Sequence, residues 1–161
     1  MGPGGFFPIN PNLADILAER SFRKEVQQLR IGKGEVFRGE GILAITKALL
    51  ENGVGYVGGY QGAPISHLMD VLADAEEILG ELGVRFESSA SEASAAASLA
   101  ASVHYPIRGA ITFKSTAGTN VACDALANLA SLEVGYPHQG LQHIVLAKDL
   151  AQQHATIGEL V

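Results

Sequence analysis

The stretch from Gly53 to Ser102 constrains the fold more than any other part of this chain. It opens G-V-G-Y-V-G-G-Y-Q-G-A-P-I-S and closes E-S-S-A-S-E-A-S-A-A-A-S-L-A-A-S. A short apolar strand over 54–57 runs into a glycine-dense turn, Gly58-Gly59-Tyr60-Gln61-Gly62-Ala63-Pro64, and apolar spacing predicts a helix over 65–72. A second strand over 84–87 then runs into a helix over 89–103 made almost wholly of Ala and Ser, with Glu92 in its first turn. Two strand-to-helix crossings of this kind deliver a backbone-rich loop and one carboxylate to the same edge of a parallel sheet. In open α/β folds that edge, outside the carboxyl ends of the strands, is where ligands bind.

The remaining chain extends the pattern. Residues 1–11 are rich in Gly and Pro and read as an irregular arm, and Asn12 can cap a helical stretch that ends near Gly32 and is interrupted near Ser21-Phe22. Residues 1–38 are therefore set apart as an N-terminal arm and helix, and 39–161 as one α/β domain. Within it, 41–51 has helical spacing with Asn52-Gly53 as a stop. A second helix over 73–82 follows a bend, and strands are expected over 110–113 and 143–147. Residues 114–120 read as a turn, 121–132 as a helix and 135–140 as a loop. The expected class is α/β: a three-layer sandwich with a mostly parallel sheet and helices on both faces.

Composition narrows the function. At 161 residues, 47% apolar and 17% charged, the chain has the makeup of one globular domain. A formal net charge of −6 argues against nucleic acid, which demands clustered Lys and Arg; the basic residues of 20–38 are interleaved with Glu. Cys123 is the only cysteine, so no internal disulfide and no cysteine-ligated iron–sulfur cluster can form within the chain. No run reaches the ~20 apolar residues of a membrane span, and the opening M-G-P-G-G-F-F-P lacks the pattern of a signal peptide. The expected location is the cytoplasm, without membrane contact.

Three elements could carry chemistry. Ser89-Ala90-Ser91-Glu92 fits the S-x-x-E capping box, in which Glu reaches back to the cap amide; the functional alternative is a rigidly held carboxylate that shares a proton with a ligand nitrogen. The turn from Gly58 to Pro64 lets a ligand approach the backbone, yet no G-K-[ST] follows it and no G-x-G-x-x-G is present. Ser115-Thr116-Ala117-Gly118-Thr119-Asn120 offers free amides at a helix start, or ordinary caps by Thr119 or Asn120. The helix over 93–102 invites close approach by a second helix or subunit, with Ala96 on the face of Glu92. The five histidines show no metal spacing, so no metal site is expected, and Cys123 reads as a small buried apolar residue.

On these residues the chain resembles the pyrimidine-binding domain of thiamine-diphosphate enzymes, in particular the indolepyruvate-type 2-oxoacid:ferredoxin oxidoreductases. The resemblance spans residues 39–132 and rests on G-E-G-I-L-A-I-T-K-A-L-L-E-N-G-V, G-Y-Q-G-A-P, S-E-A-S-A-A-A and T-F-K-S-T-A-G-T-N-V-A in that order. It implies that Glu92 bonds the aminopyrimidine ring and favours the tautomer that activates the thiazolium carbon. It further implies a cofactor surface built from Tyr60, Gln61, Gly62, Ala63, Pro64, Glu92, Gly118, Thr119 and Asn120. The G-D-G…N motif that holds magnesium and diphosphate in that family is absent. The resemblance thus implies half a site, inactive alone and apparently truncated at its C-terminal end. A complementary diphosphate-binding subunit, a dimeric or higher assembly, a 2-oxoacid substrate, and ferredoxin with iron–sulfur clusters on other subunits would complete it. Ala63 stands where the family usually has Thr. Two alternatives remain open: the alpha subunit of a thiamine-dependent decarboxylase of the sulfopyruvate type, and a non-catalytic interaction domain of the same fold.

Overall fold

The computed structural model describes residues 20–63, 65–102, 104, 105, 107–131, 143–149 and 154–160. Five helices follow in order: α1 Gly41–Glu51, α2 Ser66–Asp74, α3 Glu76–Glu81, α4 Glu92–Ser102 and α5 Ser115–Ser131. The strands are β1 Val54–Gly59, β2 Arg85–Ser88, β3 Arg108–Lys114, β4 His143–Asp149 and β5 His154–Leu160. They form one sheet in the order β2-β1-β3-β4-β5, in which the first four are parallel and β5 runs antiparallel to β4. The fold is α/β.

Strand alternation separates two cores. Val54, Val57 and Ala110 face α1, α2 and α3, where Leu43, Leu49, Leu68, Leu72 and Leu79 pack. Tyr56, Ile111 and Phe113 belong to the other cluster, with Ala95, Ala96 and Leu99 of α4 and Ala122 and Leu129 of α5. Neighbours such as Ala110 and Ile111 point to opposite faces because the side-chain period of a strand is two. Helices therefore cover the sheet from both sides. Gly53 closes α1 in the left-handed region, with φ of 71°, as the Asn-Gly stop predicts.

The stretch before α1 is broken at Phe22, near the expected interruption, but its continuation toward Gly32 is not the α-helix that the periodicity predicts. In its described part a single 3-10 turn, Glu25–Arg30, is the only helical element. Phe22 is fully buried beneath it and makes an edge contact with His67 at 6.1 Å, while its amide donates to the Asp74 carboxylate. Anchoring Phe22 on α2 breaks the helical path. The expected helix start at Asn12 and the loop 135–140 lie outside the described residues.

Candidate functional site at the carboxyl edge of the sheet

The chain leaves β1 toward α2 on one face and leaves β2 toward α4 on the other. The connection from β2 to β3 passes back over β1, so the strand order reverses between β1 and β3. A switch of this kind opens a crevice at the carboxyl ends of the two strands. There Gly59 pairs with Ser88 on one side and Thr112 on the other, and the Tyr60 amide donates to the Thr112 carbonyl at 3.0 Å.

The glycine-dense loop is pinned from within. The Gln61 side-chain amide donates to Asp70 Oδ1 at 3.1 Å, and His67 Nδ1 lies 3.2 Å from Asp70 Oδ2. Asp70 is buried on α2, so its carboxylate ties the loop to the helix that follows it. Sequence reasoning missed both Asp70 and His67. The signal was a lone carboxylate inside the apolar run I-S-H-L-M-D-V-L, three residues after a histidine. Ile65 N–H donates to the Gly62 carbonyl at 3.0 Å, and Gly62 abuts Lys114 at the end of β3. Tyr60, Gln61 and Ala63 are exposed; Pro64 lies outside the described residues.

The cap of α4 corrects the local reading of Glu92. Ser89 N–H donates to the Gly59 carbonyl at 2.8 Å, which extends the pairing with β1 past the end of β2. Ser89 therefore cannot open the helix. Ser91 caps it instead: its Oγ accepts from Ser94 N–H at 3.1 Å, and Ser91 N–H donates to Ser94 Oγ at 3.0 Å. The reciprocal box is Ser91 with Ser94, and Glu92 is the first helical residue. The residue as a whole is only 9% exposed, no described hydrogen bond or ion pair holds its carboxylate, and the carboxylate oxygens are not among the fully buried atoms.

Gly118 meets Glu92 from α5. A Cβ at Gly118 would lie 3.0 Å from Glu92 Cγ and 2.6 Å from Phe113 Cδ2, so only glycine lets the two helix starts come this close. The expected turn over 114–120 is absent, because α5 begins at Ser115 directly after β3. Thr119 and Asn120 are thus helical, with exposed side chains, and the free amides belong to the turn that starts at Ser115. Cys123, expected to be buried, is exposed on α5. The face of α4 that carries Ala95 and Ala96 is internal, with both fully buried against the chain's own sheet and α5, so Ala96 is not a contact for a second subunit, whereas Ser94, Ala97 and Ala101 on the other side are exposed.

Two depressions lie away from this edge. One of about 390 Å3 lies between α1 and residues 31–37, where Lys47 Nζ donates to the Ile31 carbonyl at 2.6 Å and the Leu29 carbonyl at 3.2 Å. The other, of about 370 Å3, lies beside β2. Among the described residues no three His, Cys, Asp or Glu side chains converge as a metal site, and no helix is long and apolar enough to cross a membrane. Comparison with family models, curated proteins and solved structures returned no match to this chain.

Proposed function

We propose that this chain is the pyrimidine-binding half of a thiamine-diphosphate-dependent 2-oxoacid oxidoreductase of the indolepyruvate:ferredoxin type, inactive without its complementary subunit. One observation carries the reading: a buried glutamate, Glu92, opens a helix whose cap is already closed by Ser91 and Ser94. Relieved of capping and without a hydrogen bond among the described residues, its carboxylate is free to meet a partner from outside. The residues present fit one end of the cofactor. Glu92 can bond a ring nitrogen, Gly118 lets the start of α5 close against it, and the amides of Gln61 to Ala63 are at the neighbouring crevice.

The described residues offer no carboxylate cluster for magnesium, so the partner subunit would hold the metal and the diphosphate. When bound, thiamine diphosphate supplies the electron sink for decarboxylating a 2-oxoacid. This chain would place the Glu92 carboxylate to share a proton with the aminopyrimidine nitrogen, where position matters before acidity. The anchored Gln61 would keep the loop from closing over the ring. Ala63 offers no hydroxyl to a substrate, so substrate selection would fall to the partner, as would electron transfer to ferredoxin and acyl transfer to coenzyme A.

The test uses the chain coexpressed with a subunit that carries a G-D-G…N motif. The pair should turn over 2-oxoacids, and Glu92→Gln should abolish turnover while assembly persists. Turnover undiminished in Glu92→Gln would refute the reading. Cysteine-rich cluster motifs in that subunit separate an oxidoreductase from a decarboxylase.

A further inference from the structure

The second depression has a buried polar group at its floor. Arg85 and Glu87 share one face of the edge strand β2, while Phe86 points through the sheet into the first core. The C-terminal half of α4 borders the opposite side with Ser98, Ala101 and Ser102, and Tyr105 and Ile107 close one end. The result is an open trough of about 370 Å3 between α4 and β2. Tyr56, only 5% exposed, contributes its floor.

The Tyr56 hydroxyl is buried and has no hydrogen-bond partner among the described residues. It lies along β1 over Gly58, where a Cβ would come within 2.5 Å of the oxygen. Burial pushes the phenol above its ordinary value, and the nearby Ser98 hydroxyl offsets part of that rise without closing a hydrogen bond; Glu87 and Arg85 act on it more weakly. All three of these neighbours line the trough, so the oxygen lies just beneath its floor. Leaving such a group unpaired is costly, which is why most buried hydroxyls in folded proteins have partners.

The trough's rim is a loose ion pair whose side chains are 78% and 46% exposed. Arg85 Nε and Glu87 Oε2 stand 3.8 Å apart, beyond hydrogen-bond length. Each keeps open valences, a guanidinium for a carboxylate and a carboxylate for an ammonium. Ala101, Ile107 and the Tyr105 ring supply an apolar wall between rim and floor.

We propose that this trough binds a small zwitterion of the free α-amino acid class. Arg85 takes the ligand's carboxylate, Glu87 its ammonium, and Tyr56 with Ser98 a polar atom at the end of its side chain. The volume is ample for one such molecule. The site lies beside the C-terminal half of α4, whereas Glu92 opens that helix, so this inference stands independently of the proposed cofactor role.

The test is titration of the full chain with L-serine, L-glutamine and L-glutamate, each followed by calorimetry and by amide chemical shifts. At least one should bind, with shifts centred on residues 56, 85, 87 and 98. Its amine and carboxylic acid analogues, each lacking one charge, should bind about tenfold more weakly or worse, as loss of a charge-assisted bond requires. Tyr56→Phe, which keeps the ring, should weaken binding about fivefold, and Glu87→Gln should abolish the preference for the zwitterion. Glu92→Gln should leave binding unchanged. No binding by any of the three at millimolar concentration would overturn the proposal. So would Tyr56→Phe that raises thermal stability and leaves binding intact, since the hydroxyl would then be only a structural cost.

Discussion

Replacing Gly118 by alanine sets two effects against each other, and the geometry decides the sign. Gly118 is inside α5, where alanine is the better helix former by about 1 kcal/mol. Backbone preference alone would make the variant more stable. The new Cβ, however, would meet Phe113 Cδ2 at 2.6 Å and Glu92 Cγ at 3.0 Å. Carbon contacts are optimal at about 3.5–4.0 Å, so the two neighbours must retreat by roughly 0.5–1 Å. Phe113 is fully buried among Ile111, Leu99 and Ala122 and has no free space to enter. Overpacking a site of this kind costs about 1–3 kcal/mol. The clash therefore exceeds the helix gain, and a net loss of about 1 kcal/mol is expected. Thermal unfolding should fall by about 2–4 °C, with a matching drop in the urea midpoint. Glu92 is pushed as well, so the turnover proposed for the pair of subunits should also fall. A Gly118→Ala chain more stable than the parent would refute the close approach of the two helix starts.

Ser91→Ala should lower stability by about 1 kcal/mol, the usual loss for an N-cap, whereas Glu92→Gln should stay within about 0.5 kcal/mol; the opposite order in urea denaturation would return the cap to Glu92. Ala96→Leu should destabilise the chain by about 1–3 kcal/mol through overpacking and leave its sedimentation unchanged. Reduced association at unchanged stability would instead place Ala96 between subunits. For Tyr56 the folded phenol is raised above 10.0 by burial, so the unfolded chain loses that proton first as pH climbs. The contribution is complete below the unfolded value and falls away as pH rises through the folded one. Tyr56→Phe should flatten the alkaline decline in stability, and superimposable alkaline profiles would count against a buried phenol.

Elements whose signals are local were legible in the sequence. The apolar spacing of Ile42, Ile45 and Leu49 and the Asn52-Gly53 stop mark α1 to its ends. The strands β1, β2 and β3 lie where short apolar runs meet glycine and serine. Elements set by tertiary contact were not legible. Ser115-Thr116-Ala117-Gly118-Thr119-Asn120 is rich in poor helix formers, yet the contact of Gly118 with Phe113 and Glu92 belongs to a helix that begins six residues before the expected one. Two overlapping boxes, Ser89 with Glu92 and Ser91 with Ser94, compete in E-S-S-A-S-E-A-S. Only the hydrogen bond from Ser89 to Gly59, across to another strand, selects between them. The bond between Gln61 and Asp70 likewise depends on how a loop folds back on its helix.

The small side chains of α4 answer a steric demand from inside the chain. At Gly109 on β3, a Cβ would fall 2.5 Å from Leu99 Cδ1 and 2.7 Å from Ser102 Oγ, so helix and sheet touch through glycine. A helix this close, with Ala and Ser in place of bulk, fills the centre of the interface but not its margins. At one margin stands Glu92, at the other the hydroxyl of Tyr56 beneath the trough. Stability alone would favour an apolar side chain in place of the Tyr56 hydroxyl, since an unpaired buried polar group costs about 1–3 kcal/mol. Departures from local consistency of this kind concentrate where a protein acts on something other than itself. Glu92 opens α4, whereas the Tyr56 hydroxyl on β1 lies near Ser98; the two share no described hydrogen bond, and substitutions without a shared partner should combine additively. The double variant Glu92→Gln with Tyr56→Phe would then lose turnover and zwitterion binding by the amounts each single change produces.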